Sequence, residues 1–305
     1  MTANRIKLTV GLGIVLLITA AFYWNKHHST ASEDIALSTP SNVRPSLEAA
    51  NQPVPPRPSE PDPADRSFSQ AEPEPAQGWK QQRFQNLIKD LSDPEWKIRR
   101  GAAALLKDGE VPADMAVPAL IEALPDEEWQ VRKVVAEALA IYGDEAALAV
   151  PGLMDALKDE EWHVRKPAAE ALAAIGPAAT EAIPSLIASL ADEEWQVRNS
   201  VAMALVALPD KAAVPALSNA LSDEEWHVAA NASMALAEIG PDAEASVTSL
   251  RKALEHEEWH VRNGAAYALG QIGDQSAIPD LNLLLADEEE QVSKTAREAL
   301  AKIQP

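Results

Sequence analysis

Trp96, Trp129, Trp162, Trp195, Trp226 and Trp259 follow one another at spacings of 33, 33, 33, 31 and 33 residues, and Glu290 holds the same slot 31 residues after Trp259. A fixed period of this length is what a chain shows when it stacks copies of one supersecondary unit, none of which can bury its apolar face alone. Stacks of this kind present extended surface. The first expectation is therefore a binding scaffold.

Each period reads as two helices. Aligned on Trp129, one helix ends in Val117-Pro118-Ala119-Leu120-Ile121-Glu122-Ala123-Leu124, and the turn Pro125-Asp126-Glu127-Glu128 leads to a second helix from about Trp129 to Tyr142. In that second helix Val131, Val135, Ala138, Leu139 and Tyr142 share one face at helical spacing. Gly143, Gly176, Gly240 and Gly273 stand where left-handed caps are expected. Pro167 falls inside a second helix, so a local bend is expected there.

Composition excludes several classes. None of the 305 residues is Cys, so disulfides, thiolate metal sites and Cys nucleophiles are out of reach. The net charge is -21, and residues 79–305 alone carry -19. That field repels phosphates and argues against nucleic acid; it reads first as solvated acidic surface that keeps the chain soluble, and it also suits a protein or peptide partner, a basic one in particular.

The chain reads as three regions. In 1–28, Leu8 to Trp24 carries no charge, follows Arg5 and Lys7, and ends in Phe22-Tyr23-Trp24 where an interfacial belt would sit. The expectation is a signal anchor, a single transmembrane helix in the inner membrane that leaves the remainder periplasmic. Cleavage near Ser29-Thr30-Ala31 or Ile18-Thr19-Ala20, with release to the periplasm, is the alternative. Residues 29–78 hold ten prolines and no hydrophobic period, as expected of a disordered, acidic, Pro-rich linker. The repeats occupy 79–305.

These residues resemble HEAT repeats, in particular the HEAT-like repeats of phycobilisome (bilin) lyases. The family pattern places a Pro in the first helix, an Asp eight residues on, and Val-Arg five and six beyond that Asp. It appears here as Pro118, Asp126, Val131 and Arg132, as Pro151, Asp159, Val164 and Arg165, and as Pro184, Asp192, Val197 and Arg198. Later repeats depart from it: Ala229 and Ser293 replace Arg, Thr248 replaces Pro, and His256 replaces Asp; repeat one has Gln85 for Pro. The resemblance implies an all-α, right-handed α-solenoid of about seven helical hairpins. It also implies an Asp–Arg ladder bridging successive repeats, a structural role that an acid at a helix start facing a cation in the next layer supports physically. Loss of Arg at Ala229 and Ser293 then points to a looser stack in the C-terminal half.

Four features bear on chemistry. His256-Glu257-Glu258-Trp259-His260 matches the zinc-protease pattern H-E-x-x-H. It is nevertheless the repeat element Asp-Glu-Glu-Trp-His with its Asp replaced, and it straddles a turn and a helix start, so no metal or cofactor is expected. The Glu pairs, such as Glu127/Glu128, stand at helix starts where negative charge complements the exposed N–H groups. The tryptophans Trp129, Trp162, Trp195, Trp226 and Trp259 form a row that reads in two ways. They are either aromatic faces for basic peptides or sugar rings, or cover for small, Ala-rich repeats.

The fourth feature lies on the second helices, which line the inner face in this family. Lys133/Glu137 and Lys166/Glu170 are solvated pairs in repeats two and three. Repeats four to six instead carry Asn199 and Met203, Asn231 and Met234, Asn263 and Tyr267, a composition suited to recognition. The function expected is a non-catalytic, membrane-tethered scaffold that binds a partner protein through this face. A bilin-lyase-like enzyme or cofactor chaperone, and an envelope glycan binder using the Trp row, are the alternatives.

Overall fold

The computed structural model describes residues 75–304, and every regular element among them is helical. The expected membrane helix over Leu8–Trp24 and most of the Pro-rich stretch lie outside the described residues. Seven helical hairpins follow in chain order. Repeat one pairs α1 (Pro75–Asp90) with α2 (Trp96–Leu106), and repeat two α3 (Ala113–Ala123) with α4 (Trp129–Tyr142). Repeat three has α5 (Val150–Ala156) and α6 (Trp162–Ile175), and repeat four α7 (Ile183–Ser189) and α8 (Trp195–Ala207). The remaining pairs are α9 (Val214–Ala220) with α10 (Trp226–Ile239), α11 (Val247–Ala253) with α12 (Trp259–Ile272), and α13 (Ile278–Leu283) with α14 (Glu290–Ile303). The tryptophan slot is thus the first residue of each second helix.

Why the period contains two helices is legible in its punctuation. The first-helix prolines sit at the start of α5, α7, α9 and α13, where the missing N–H costs nothing. In repeats three, four and six a seven-residue 3-10 segment leads into the first helix (Gly143–Ala149, Gly176–Ala182 and Gly240–Ser246). In repeats five and seven, where the period falls to 31, it shrinks to three residues (Lys211–Ala213 and Gln275–Ala277). Length changes in the connection and the helix pair persists. The second helices pack one on the next along the stack, while each first helix packs mainly on its own partner.

Packing is of the small-residue kind. In repeats two to seven the second residue after the tryptophan slot is Val131, Val164, Val197, Val228, Val261 or Val292, all fully buried. Leu106, Leu139, Leu172, Leu205, Leu236 and Leu269 are fully buried as well. Burying one such Leu is worth roughly 1.5–3 kcal/mol, so the leucine row is a main source of stability.

Three expectations change. Gly143, Gly176 and Gly240 have positive φ (54°, 66° and 68°), but with ψ of -131°, -140° and -136° they are not left-handed helical caps. They occupy a region open essentially to glycine alone, which turns the chain directly into the following 3-10 segment. Gly273, at φ 82° and ψ 14°, is the cap of the expected kind. At Pro167 the helix α6 continues unbroken from Trp162 to Ile175.

The third change concerns the looser stack expected at Ala229. Instead α10 and α12 lie close: a Cβ on Gly264 would sit 3.0 Å from the Ser233 Cβ and 3.4 Å from the Ala230 carbonyl oxygen. Ala229 is itself fully buried. Small residues let the two helices approach where the guanidinium is missing.

Candidate functional site

The Asp-Glu-Glu-Trp turn and the first turn of each second helix build one edge of the stack. Arg132 donates from Nε and Nη2 to both oxygens of Asp159 (2.6 and 2.8 Å), and from Nη1 to the carbonyls of Asp126 and Glu127. Four further rungs repeat this: Arg99–Asp126, Arg165–Asp192, Arg198–Asp223 and Arg262–Asp287. Each is bidentate, and the paired side chains are about nine-tenths buried. Each aspartate also accepts from the backbone N–H two residues on, as Asp126 does from Glu128. The glutamates at the helix starts make no side-chain cap. Their role is electrostatic only.

Burial pushes the Asp126 and Asp159 carboxyls up, but the arginine and backbone donors prevail and hold both below the usual carboxylate range. The Arg262 hydrogen bond does the same for Asp287. The ladder implied by the resemblance is present, and Asp126, Arg132, Asp159, Arg165, Asp192 and Arg198 are all in it. Sequence reading had left out the Arg99 rung, although Ile98-Arg99 stands five and six residues after Asp93, as the pattern requires.

One internal rung is missing on both sides at once. Ala229 stands where Arg should, and His256, 27 residues on, where its Asp should. His256 still keeps the turn, because its Nδ1 accepts the Glu258 N–H at 3.0 Å. That bond ties the first histidine of the H-E-x-x-H match to the turn. The second, His260, lies against Trp259 and Trp226, with ring centroids 3.8 and 4.5 Å away. No group of three or more metal-binding side chains occurs among the described residues.

The tryptophan row has an ingredient that sequence reading missed. The residue after the tryptophan inserts its ring between successive indoles: His163 lies 3.9 Å from Trp162 and 5.0 Å from Trp129. Trp195, His227, Trp226, His260 and Trp259 continue as one alternating stack. All these indoles are half-buried. Histidine rings thus lie on the faces a peptide cation or sugar would need, and the geometry favours the covering role. Burial lowers the pKa of His227 and His260, against the pull of Glu225 and Glu258, and neither Nδ1 has a protein partner. The recurrence of His163, His227 and His260 directly after a tryptophan was the available signal.

The inner-face candidates lie on α8, α10 and α12, and all six are half-buried. Up to repeat three this face is ionic: Lys107 pairs with Glu137 (2.6 Å), and Lys166 with Glu170 (2.9 Å). Ser200 closes that region by donating to Glu170. Beyond it, Asn231 donates to Asn199 at 2.8 Å across the repeat joint, and Asn199 Nδ2 points at the Met203 sulfur, 4.0 Å away. The structure thus brings Asn199, Met203 and Asn231 together. Met234 follows on α10, with Glu238 one turn on, its carboxyl pushed up by burial. On α12 the Asn263 Oδ1 is buried without a partner, and Tyr267 lies under the Lys302 ammonium (5.4 Å).

Two shallow hollows, of about 220 and 370 Å³, lie against the Arg99 rung and beside Tyr142, away from these residues. They fall in or below the low range of small-molecule sites. The candidate face is a broad surface.

Comparison with known proteins agrees with this architecture. No curated relative matches the chain in sequence. Among solved structures, an engineered protein is similar at 25% identity and a TM-score of 0.58, over 73% of this chain and 68% of that one. The complex of CpcE and CpcF of phycocyanin lyase from Nostoc sp. PCC7120 is similar at 22% identity and a TM-score of 0.46, over 80% of this chain and 100% of that one. A designed armadillo repeat protein gives 20% identity and a TM-score of 0.47, over 72% and 98%. HEAT repeats match in four overlapping segments, residues 84–150, 149–206, 183–249 and 214–301. Covering well over half of the chain in this way, they establish that it belongs to the HEAT repeat family.

Proposed function

We propose that this chain is a non-catalytic scaffold that binds a partner protein through the inner face of repeats four to six. One observation carries the reading: the change of that face at Ser200. On one side, lysines and glutamates satisfy each other. On the other, amides, two methionines and a tyrosine stand half-buried, with an unpaired Asn263 oxygen and a Glu238 carboxyl whose charge burial disfavours. Polar groups left unpaired under partial burial lose free energy that a partner's donors would return. Methionines adapt to a partner's shape, and Tyr267 offers a flat apolar ring with a polar tip.

In this reading the N-terminal segment anchors the chain in the inner membrane, the Pro-rich stretch is a tether, and the right-handed solenoid works on the periplasmic side. The test is capture from native membranes with wild type and with a Met203→Glu/Met234→Glu/Tyr267→Ala variant, matched for helicity by circular dichroism. A protein held by wild type and lost from the folded variant supports both the scaffold and its face. Identical capture by the two moves the site elsewhere, and the anchor fails if the chain is recovered without its first 28 residues.

A further inference from the structure

The inner face of repeats four to six is almost free of charge. Apart from the ladder arginines and the edge histidines, Glu238 is the sole charged side chain on α8, α10 and α12. It lies one turn beyond Met234 on the same face of α10 and is half-buried. The glutamates of this surface in repeats two and three have cations: Glu137 takes Lys107 at 2.6 Å, and Glu170 takes Lys166 at 2.9 Å. Glu238 has none. Burial acts on its carboxyl with no cation or donor among the described residues to set against it. A half-buried carboxylate without a counter-charge carries a standing cost that Glu137 and Glu170 escape.

Repeat register shows what flanks this carboxylate. Lys302 holds the same slot on α14, and its ammonium lies 5.4 Å from the ring of Tyr267 in the preceding repeat. The residue that stands to Glu238 as Tyr267 stands to Lys302 is Met203. Glu238 is thus set between the rows of Met203 and Met234. Thioethers offer an adaptable apolar lining to a long cationic stem, and the carboxylate offers its head a counter-charge. The unfilled Asn263 oxygen is an acceptor as well. Both groups left open on this face therefore call for donors, and positive charge is their complement.

The kind of cation can be narrowed. A metal ion would need several oxygen ligands, and Glu238 is the only carboxylate on these three helices. Arginine suits a partly buried carboxylate better than lysine, because guanidinium is more weakly hydrated and can give two parallel N–H groups to one carboxylate. The protein uses that pairing itself at each rung, as Arg132 does with Asp159. Granted the scaffold reading of this face, we propose that its partner is a peptide segment that lays an arginine between Met203 and Met234 and pairs the guanidinium with Glu238.

The test selects a randomised peptide library, displayed on phage, on the immobilised full-length protein, and titrates the enriched peptides in free form. Wild type is compared with Glu238→Gln and with Glu181→Gln, an exposed glutamate off this face whose loss controls for the acidic field. A third variant, Met203→Ala/Met234→Ala/Tyr267→Ala, strips the face without adding charge. Each peptide is also made with citrulline for arginine, which keeps the shape and removes the charge. Glutamine at 238 removes a charge that burial disfavours, so this variant should melt no lower than wild type.

The enriched peptides should share an arginine. Its change to citrulline should weaken binding to wild type at least about tenfold, and binding to Glu238→Gln less than about twofold, as a direct pair requires. Glu181→Gln should bind as wild type does. The proposal is overturned if no peptide is enriched, if the enriched peptides lack arginine, or if citrulline costs the same on wild type and Glu238→Gln. Full affinity in the triple alanine variant would remove the scaffold reading of this face together with the proposal. Binding lost in that variant but kept in Glu238→Gln would leave the face standing and remove the arginine seat alone.

Discussion

The joint between repeats three and four and the joint between repeats five and six bring equivalent helices together by different chemistry. The first has a complete rung, Arg165 on Asp192, and a second polar bond from Ser200 to Glu170. The second has Ala229 and His256 in place of the rung, a glycine at the slot of Ser200, and a continuous Trp226–His260–Trp259 stack along the edge. Gln196 takes the place of a ring between Trp162 and Trp195 at the first joint. A repeat fold therefore fixes the distance between neighbours, and directional ion pairs or close apolar contact can each supply the cohesion. The two solutions should respond differently to mutation and to acid.

The largest effect is expected at the ionic joint. Arg165→Ala leaves Asp192 buried without its cation and strips the donor from the Asp159 and Glu160 carbonyls. Breaking one side of such a pair costs about 3–5 kcal/mol. Denaturant unfolding followed by hydrogen exchange on α6 and α8 should show the loss centred there, because a solenoid is stabilised neighbour by neighbour. A loss below about 1 kcal/mol would mean the rung contributes no more than a surface ion pair.

Gly264→Val tests the close joint with a somewhat smaller effect. Its Cβ would press on the Ser233 Cβ at 3.0 Å, and the added methyls have no room. Overpacking of this kind costs about 1–3 kcal/mol. At the matching slot of α4 the protein itself carries Val134, so a valine there is not intrinsically unfavourable. Equal stability of the variant and wild type would show that α10 and α12 are less close than described.

Acid should separate the joints further. His227 and His260 have folded pKa values below the ordinary 6.5, chiefly through burial, so the unfolded chain binds their protons first. Their contribution is complete above about pH 6.5 and falls as the pH drops through the lowered values. Asp126 and Asp159 are shifted down from 3.8, so the rungs they form hold their full contribution down to about pH 4 and lose it only as the pH falls from there through the lowered values. Between about pH 6.5 and 4, α10 and α12 should lose protection before α4 and α6 do. His227→Gln/His260→Gln, which copies the residue of repeats two and four, should abolish the difference. A uniform loss across the stack would break the comparison.

These contrasts also mark what was legible in the sequence. The seven hairpins and the ladder were, because a 33-residue period and an Asp–Arg offset are one-dimensional signals that tertiary packing preserves. The conformations of Gly143, Gly176 and Gly240 were not, since glycine at a helix end is compatible with several positive-φ regions. The tightness at Ala229 was hidden for another reason. Loss of Arg reads as a lost bond, while the compensating glycine lies 35 residues away on another helix, visible only once α10 and α12 are side by side. On the inner face, residue types announced the change at repeat four, but the Asn199–Asn231 bond depends on a cross-repeat distance no spacing encodes.

The smallest effect should come from rebuilding the missing rung. Ala229→Arg alone places a guanidinium beside His256 and lacks a carboxylate, so it should destabilise. His256→Asp alone keeps the turn, since at the other joints an aspartate accepts the N–H two residues on, as Asp126 does from Glu128 and Asp159 from Glu161, but it buries an unpaired charge. Together they recreate the ladder pair, and the double variant should recover most of both losses. The coupling between the two should be about 1–3 kcal/mol, as for neighbours in one network. Net stability should change little from wild type, because desolvating two charges offsets most of their attraction. The acid sensitivity of α10 and α12 should nevertheless persist, because it belongs to the His227 and His260 rings and not to the rung. If the rebuilt rung removed that sensitivity, the ionic and aromatic halves of the edge would be a single coupled device, and the two joints would differ in degree instead of in kind.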